Sequence, residues 1–150
     1  MKLTSYTDYS LRVLLYVAHQ KEKSVTINEL TDFYQISRNH LVKVVHQLSL
    51  NGFIKTTRGR TGGITLGRES CHISIGEVIR LTEPDMNLLD CFDQETDHCK
   101  ISSVCKLKGV LKKAQYRFLQ ELDQCFLSDL MISEHQFMNP ETLIPFQQHK

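Results

Sequence analysis

TINELTDFYQISRNHLVKVVHQLSLNG, residues 26–52, decides the fold of this chain. Thr26-Ile27-Asn28-Glu29 has the form of a capping box, in which a hydroxyl and a carboxylate each satisfy a free amide at a helix start. The helix so begun ends near Tyr34, and Gln35-Ile36 leaves room only for a tight turn. Ser37 is placed to cap the next helix, whose Leu41, Val44, Val45 and Leu48 form an apolar stripe, and Asn51-Gly52 supplies its stop. Two short helices across a tight turn make a helix-turn-helix. With the stripe turned inward, Arg38, Asn39, Lys43, His46 and Gln47 are left for the opposite face, with Ser37 and His40 at its start. Arg and Lys donate to guanine edges or phosphates, Asn and Gln bond adenine, and a helix fits the major groove. The bland alternative is an ordinary solvated helix face.

The residues that follow favour the DNA-facing alternative. Phe53–Thr57 and Ile64–Leu66 read as two short strands around Arg58-Gly59-Arg60-Thr61-Gly62-Gly63. Glycines supply the positive dihedrals of such a turn, and Arg58, Arg60 and Thr61 at its tip can reach a minor groove or a phosphate backbone. A helix-turn-helix followed by a basic hairpin is a winged helix. No Gly-Lys-Ser/Thr ending or Gly-x-Gly-x-x-Gly series supports a nucleotide cradle instead. The net charge of +1 hides an asymmetry, because from Phe33 to Arg68, both included, there is no acidic residue while Arg38, Lys43, Lys55, Arg58, Arg60 and Arg68 all fall there. An acid-free stretch of this length suits a surface that meets phosphates.

Upstream, a first helix is expected from about Thr4 to Gln20, with Leu11, Leu14, Leu15 and Ala18 as its buried stripe and Asp8 one turn from its start. Downstream, Ser74-Ile75-Gly76-Glu77 looks like a second capping box, Ile73 can staple onto Val78, and Pro84 stops the helix. From Glu83 to Ile101 the apolar period lapses. That loop carries Asp85, Asp90, Cys91, Asp93, Asp97, His98 and Cys99, and Cys105 follows it. From about Val104 the period returns through Leu107, Leu111, Ala114, Phe118 and Leu122, widened by Leu119, Phe126 and Leu130, which suggests a helix of roughly 25 residues. A twofold dimer is the simplest way to cover such a face, with intramolecular packing as the alternative. Met131 onward, with Pro140 and Pro145, has no clear period and is expected to form a flexible tail.

At 150 residues and 41% hydrophobic content, the chain suffices for one core with a protruding element. No apolar run approaches the roughly 20 residues of a membrane span, and the start lacks the order of a secretory signal, so a cytoplasmic location and no membrane partner are expected. Five cysteines are an odd number, and in a reducing compartment Cys91, Cys99 and Cys105 read as metal ligands or redox thiols, with Cys71 and Cys125 as spares. Thiolates are the usual ligands of iron-sulfur clusters, whereas structural zinc sites favour close Cys-x-x-Cys pairs, absent here. A zinc- or thiol-based redox protein is the competing class. Nothing in the chain suggests an enzyme.

Three further stretches complete a resemblance: Leu3–Arg12 at the start, Ser37–Lys43 in the third helix, and Arg58–Leu66 in the wing. With the three cysteines and Cys105-Lys106-Leu107-Lys108, the chain resembles the Rrf-two family of bacterial iron-sulfur winged-helix transcription regulators, its nitric-oxide-sensing repressors in particular. The resemblance spans the chain to about Leu130. It implies a mainly α fold with a small β-hairpin wing: a winged helix-turn-helix DNA-binding domain over residues 1–83, a cluster-binding loop over 84–105, a dimerisation helix over 106–130, and a tail over 131–150.

The same resemblance implies a homodimer on a palindromic operator in double-stranded DNA. One iron-sulfur cluster per subunit is implied on Cys91, Cys99 and Cys105, with four iron and four sulfur atoms favoured over two and two. In the nitric-oxide-sensing members an aspartate on the partner's first helix completes the ligands, and the matching residue is Asp8. The family's regulators of iron-sulfur and redox homeostasis instead use a histidine three residues after the third cysteine, where this chain has Lys108. Seven residues separate Cys91 from Cys99, a wider spacing than is usual in the family, which brings His98 and Asp97 into competition as ligands. Nitric oxide as signal, acting at an oxygen-ligated and more exchangeable iron, follows from the resemblance.

Overall fold

The computed structural model describes residues 2–21, 23–59 and 62–138. Arg60 and Thr61, expected at the wing tip, and the tail beyond residue 138 lie outside them. Six helices and one hairpin are present among the described residues: α1 (Ser5–His19), α2 (Ile27–Tyr34), α3 (Arg38–Leu50), β1 (Ile54–Thr57), β2 (Gly63–Leu66), α4 (Ile75–Thr82), α5 (Lys106–Gln124) and α6 (Glu134–Met138).

The helix-turn-helix forms for the reasons its sequence gives. Thr26 and Glu29 make the reciprocal cap, the Thr26 amide donating to the Glu29 carboxylate at 2.6 Å and the Glu29 amide to the Thr26 hydroxyl at 3.2 Å. Gln35, at φ 55°, turns the chain into α3, and Gly52, at φ 73°, ends it. Leu41, Val44 and Leu48 are fully buried, as are Leu30 of α2 and Val13, Leu14 and Val17 of α1. Each such side chain contributes roughly 1.5–3 kcal/mol on transfer from water. The wing pairs antiparallel from Ile54 with Leu66 to Thr57 with Gly63. Val25, just before α2, exchanges both backbone bonds with Ile64, at 2.9 and 2.7 Å, so the wing is anchored to the helix-turn-helix.

Several expectations need correction. The buried face of α1 is rotated from the expected one: Leu11 and Leu15 are only half-buried, while Thr7 and Ser10 are fully buried. Their hydroxyls are satisfied inside, Ser10 by the Tyr6 carbonyl at 2.8 Å and Thr7 by Thr4, so burial costs them little. Ser37 makes no side-chain cap bond. The second capping box does not close, because the Glu77 carboxylate is held by Arg68 at 2.8 Å and the Ser74 hydroxyl donates to the Asp123 carbonyl at 3.2 Å.

The long helix ends at Gln124 rather than near residue 130. Beyond it Phe126 bridges Ser74, the Ile75 and Leu127 amides pair across the same two segments, and Leu127 is fully buried under a 3₁₀ turn at Leu127–Leu130. Burying Leu127 and pairing these amides outweighs another exposed helical turn. Arg80 makes a two-pronged ion pair with Asp123, and a Cβ at Gly76 would stand 2.9 Å from the Asp123 nitrogen, so glycine allows α5 to meet α4 this closely. Residues 131–138, expected in a flexible tail, instead lie against the head. Phe137 of α6 stacks on His19 with ring centroids 3.8 Å apart and on Phe33 at 5.2 Å, and the Ile132 amide donates to His19 Nε2.

Candidate regulatory site: a basic winged face and a cysteine loop

On α3 the apolar stripe is inside and Ser37, Arg38, Asn39, His40, Lys43 and His46 are exposed, with Gln47 half-buried beside them. Arg38 is held by the Asn28 side chain at the start of α2, which fixes its guanidinium between the two helices. His40 faces Tyr9 of α1 with ring centroids 5.9 Å apart. Arg58 is exposed at the end of β1, and a cleft of about 290 Å³, lined by Asn28, Arg38, Thr56, Thr57, Gly59 and Gly63 among others, separates the wing from α2 and α3. The exposed polar residues of α3 and the visible base of the wing are thereby neighbours.

Helix α4 hands the chain to the loop. Its last turn is buried at Thr82, whose hydroxyl bonds the Val78 carbonyl, and Glu83 then reaches across to the start of α1. The Glu83 carboxylate accepts from the Thr4 amide at 2.8 Å and the Thr4 hydroxyl at 3.1 Å. Sequence alone did not signal this cap, because Glu83 looks like a helix end before Pro84. It ties the origin of the cysteine loop to the helix that carries Asp8.

The loop wraps the first turn of α5. Cys91 lies in a 3₁₀ turn, Asp90–Phe92, held against α5 by Lys112, whose ammonium stands 5.5 Å from the Phe92 ring. Cys99 follows a turn in which its amide donates to Asp97 Oδ1 at 3.1 Å. Cys105 is the N-cap of α5 and its sulfur accepts from the Lys108 amide at 3.4 Å. Lys108 is the hub of the site. Its ammonium bonds Asp97 Oδ2 at 2.9 Å and the Ser102 hydroxyl, which in turn bonds Asp97. The hydrogen bond from Ser102, then that from Lys108, lowers the Asp97 carboxyl to about 2. Asp97 raises the Lys108 ammonium in return, and the thiolate charges of Cys91 and Cys99 add to that rise, so both cysteines lie within electrostatic reach of Lys108.

Cys105 therefore sits at the helix N-terminus, and Cys91 and Cys99 lie within electrostatic reach of Lys108 in the same first turn. The donor set is thiolate-rich and fits an iron-sulfur group. Ligands of one tetrahedral zinc ion stand within about 4 Å of each other. Among the described residues these thiols do not gather within 4.8 Å in a set of three. Asp97 is committed to Lys108 and Ser102, whereas His98 is exposed. Asp8 is not brought to the cysteines of its own subunit. It lies half-exposed on α1, paired with Arg12 at 3.0 Å, on the face it shares with half-buried Leu11 and Leu15.

A helix-turn-helix with an anchored two-stranded wing, followed by a cysteine-bearing arm, defines the class of winged-helix regulators. Comparison with known proteins gives the particular family. The profile described as Rrf2, iron-dependent transcriptional regulator, matches residues 3–133, and the chain belongs to that family. It is 50% identical over 135 residues to the HTH-type transcriptional regulator NsrR of Bacillus licheniformis, covering 89% of this chain and 94% of that one. It is 46% identical over 139 residues to NsrR of Bacillus subtilis, covering 92% and 95%. Solved structures agree on the fold. CymR, the global cysteine regulator of B. subtilis, superposes with a TM-score of 0.70 at 22% identity over 87% of this chain and 95% of that one, and IscR of T. potens with 0.69 at 21% over 91% and 96%. The protein is a transcriptional regulator and not an enzyme. Among the described residues no helix is long and apolar enough to cross a membrane.

Proposed function

We propose that the protein is a homodimeric repressor that binds a palindromic operator and releases it when nitric oxide reaches an iron-sulfur cluster, one per subunit, on Cys91, Cys99 and Cys105. The single observation that supports this proposal is Cys105 capping α5 beside Lys108, at the turn that the loop bearing Cys91 and Cys99 wraps through the Asp97–Lys108 and Phe92–Lys112 contacts. When bound, the group supplies iron that nitric oxide attacks, and four iron atoms are favoured over two. Lys108 and the α5 N-terminus offset the negative charge of the thiolates. Asp8 of the partner subunit completes the ligands, and its place beside Leu11 and Leu15, on a face its own subunit covers only partly, suits that role.

On DNA, α3 lies in the major groove. Arg38, Asn39, Lys43, His46 and Gln47 read base edges or phosphates, Ser37 and His40 hold the backbone at the helix start, and Arg58, Arg60 and Thr61 of the wing reach the adjacent groove. Helix α5 supplies the dimer face, on which Leu107 and Val110, three residues apart, are each more than 60% exposed. Because a dimer grips two half-sites at one separation, the Glu83 bonds to Thr4 and the bond from Asp8 to the partner's loop together set the spacing of the two α3 helices. Release of Asp8 removes the second of these restraints.

The test is anaerobic purification followed by absorption spectra and iron, sulfide and zinc analysis, before and after a nitric-oxide donor, with operator binding measured in both states. The proposal expects visible cluster bands that bleach as affinity falls. A colourless, zinc-holding protein would overturn the nitric-oxide mechanism.

A further inference from the structure

The chain leaves β2 through Gly67 and Arg68 and makes a single 3₁₀ turn, Ser70–His72, before α4. Three potential ligands stand on this turn. The Cys71 sulfur lies 3.5 Å from Glu69 Oε2, His72 Nδ1 lies 3.9 Å from the same oxygen, and all three donor atoms fall within 4.8 Å of one another. No other His, Cys, Asp and Glu set among the described residues is gathered so closely. A zinc ion with bonds of about 2.0–2.3 Å and tetrahedral angles holds a sulfur and an oxygen, or a nitrogen and an oxygen, roughly 3.4–3.6 Å apart. Closing these donors onto one ion asks for about half an ångström or less in the Cys71–Glu69 and His72–Glu69 pairs, and the Cys71–His72 pair, within 4.8 Å, closes by rotation of two exposed side chains.

The backbone beneath the donors is fixed. The His72 amide donates to the Glu69 carbonyl at 2.9 Å, and the next residue, Ile73, is fully buried with its carbonyl held by the Leu127 amide. On the other side Arg68 is clamped by Glu77 and stands 4.4 Å over the Phe53 ring. The three side chains themselves are exposed, so an ion can enter and water can take a fourth position. None of the three is committed to the cysteine loop, and the site does not depend on the function proposed above.

We propose that Glu69, Cys71 and His72 form a second metal site, for a divalent ion of borderline softness such as zinc. A mixed thiolate, imidazole and carboxylate set suits that class and does not suit magnesium or calcium, which take oxygen ligands. The site lies where the wing joins α4.

The probe is cobalt(II), whose bond to a thiolate gives an ultraviolet charge-transfer band. Full-length protein with Cys91, Cys99 and Cys105 replaced by serine removes the loop thiols while leaving the buried core intact. It is expected to bind one equivalent of cobalt with a thiolate band that zinc displaces. Adding Cys71→Ser should abolish the band, and Glu69→Gln or His72→Gln should each weaken binding by at least the ~10-fold that loss of an outer-shell partner costs. Unchanged circular dichroism and Tm would certify that these exposed substitutions leave the fold alone. Absence of a thiolate band, or a band that survives Cys71→Ser, would overturn the proposal.

Discussion

From Ser5 to Thr82 every α-helix places residues in the buried core, whereas between Glu83 and Phe126 not one residue is buried. In the head three stripes meet, the wing is pinned by Val25, and Thr26 with Glu29 caps α2. The arm is held at its base by polar bonds and by partly buried Met86 and Leu122, and among the described residues its outer face is left exposed. An exposed helix of this length has little stability of its own in water, since packing supplies most of a helix's stability. The contrast teaches that the core is made by the head together with Leu127, while the arm leaves its outer face open; on the function proposed above, a second subunit along α5 and a bound group at its N-terminus complete it.

The largest effect should come from the head. Leu41→Ala opens a cavity at a fully buried site and should cost about 2–5 kcal/mol, seen as a fall in Tm and in denaturant midpoint. Leu107→Ala, at a 62% exposed site on α5, should leave the head's unfolding unchanged and shift the monomer–dimer balance in sedimentation. Equal losses of Tm in the two variants would erase the distinction between head and arm.

A smaller effect should come from the joint between the two regions. Glu83→Ala removes both bonds to Thr4 and should cost about 1 kcal/mol, the usual worth of a helix cap. Its sharper readout is operator affinity. A change in affinity larger than the change in stability would mark Glu83 as part of the coupling.

The smallest effect is local and depends on pH. The Asp97 carboxyl titrates at about 2 in the folded chain, against ~3.9 when unfolded, so its folded value is depressed. Its contribution is complete above pH ~4 and is lost as pH falls toward 2. The protection of the Cys99 and Ser102 amides in metal-free protein, taken as exchange relative to the intrinsic rate at each pH, should fall over that window, and Asp97→Asn should lower it at neutral pH as well. Slow exchange in the variant would mean that the loop is shaped without this clasp.

The sequence made the head legible because its signals are local. Thr26 with Glu29, the Leu41 to Leu48 stripe and the Asn51-Gly52 stop sit within a few residues of the bonds they make. Where contacts are distant, the pattern misled. Thr7 and Ser10 fall outside the expected α1 stripe of Leu11, Leu14, Leu15 and Ala18, yet hydroxyls that bond to nearby Thr4 and Tyr6 bury readily. The apolar period of α5 ran on through Phe126, but Leu127 is taken by a core built from residues far earlier in the chain. The three cysteines were visible as a set. The clasp of Asp97, Ser102 and Lys108 in the same loop was not, because it depends on a loop path with no period to read. Lys108 stood out only as the residue that is not histidine.

The central claim is that each subunit's cysteine loop is completed by Asp8 of the partner subunit. Mixing Asp8→Ala protein with Cys105→Ser protein tests it most directly, by anaerobic reconstitution and spectroscopy of the isolated heterodimer. Completion across the dimer predicts one cluster of wild-type character per heterodimer, since the Asp8→Ala subunit keeps its cysteines and receives an intact aspartate from its mate. A heterodimer whose only cluster has the spectrum and lability of the Asp8→Ala homodimer would contradict it.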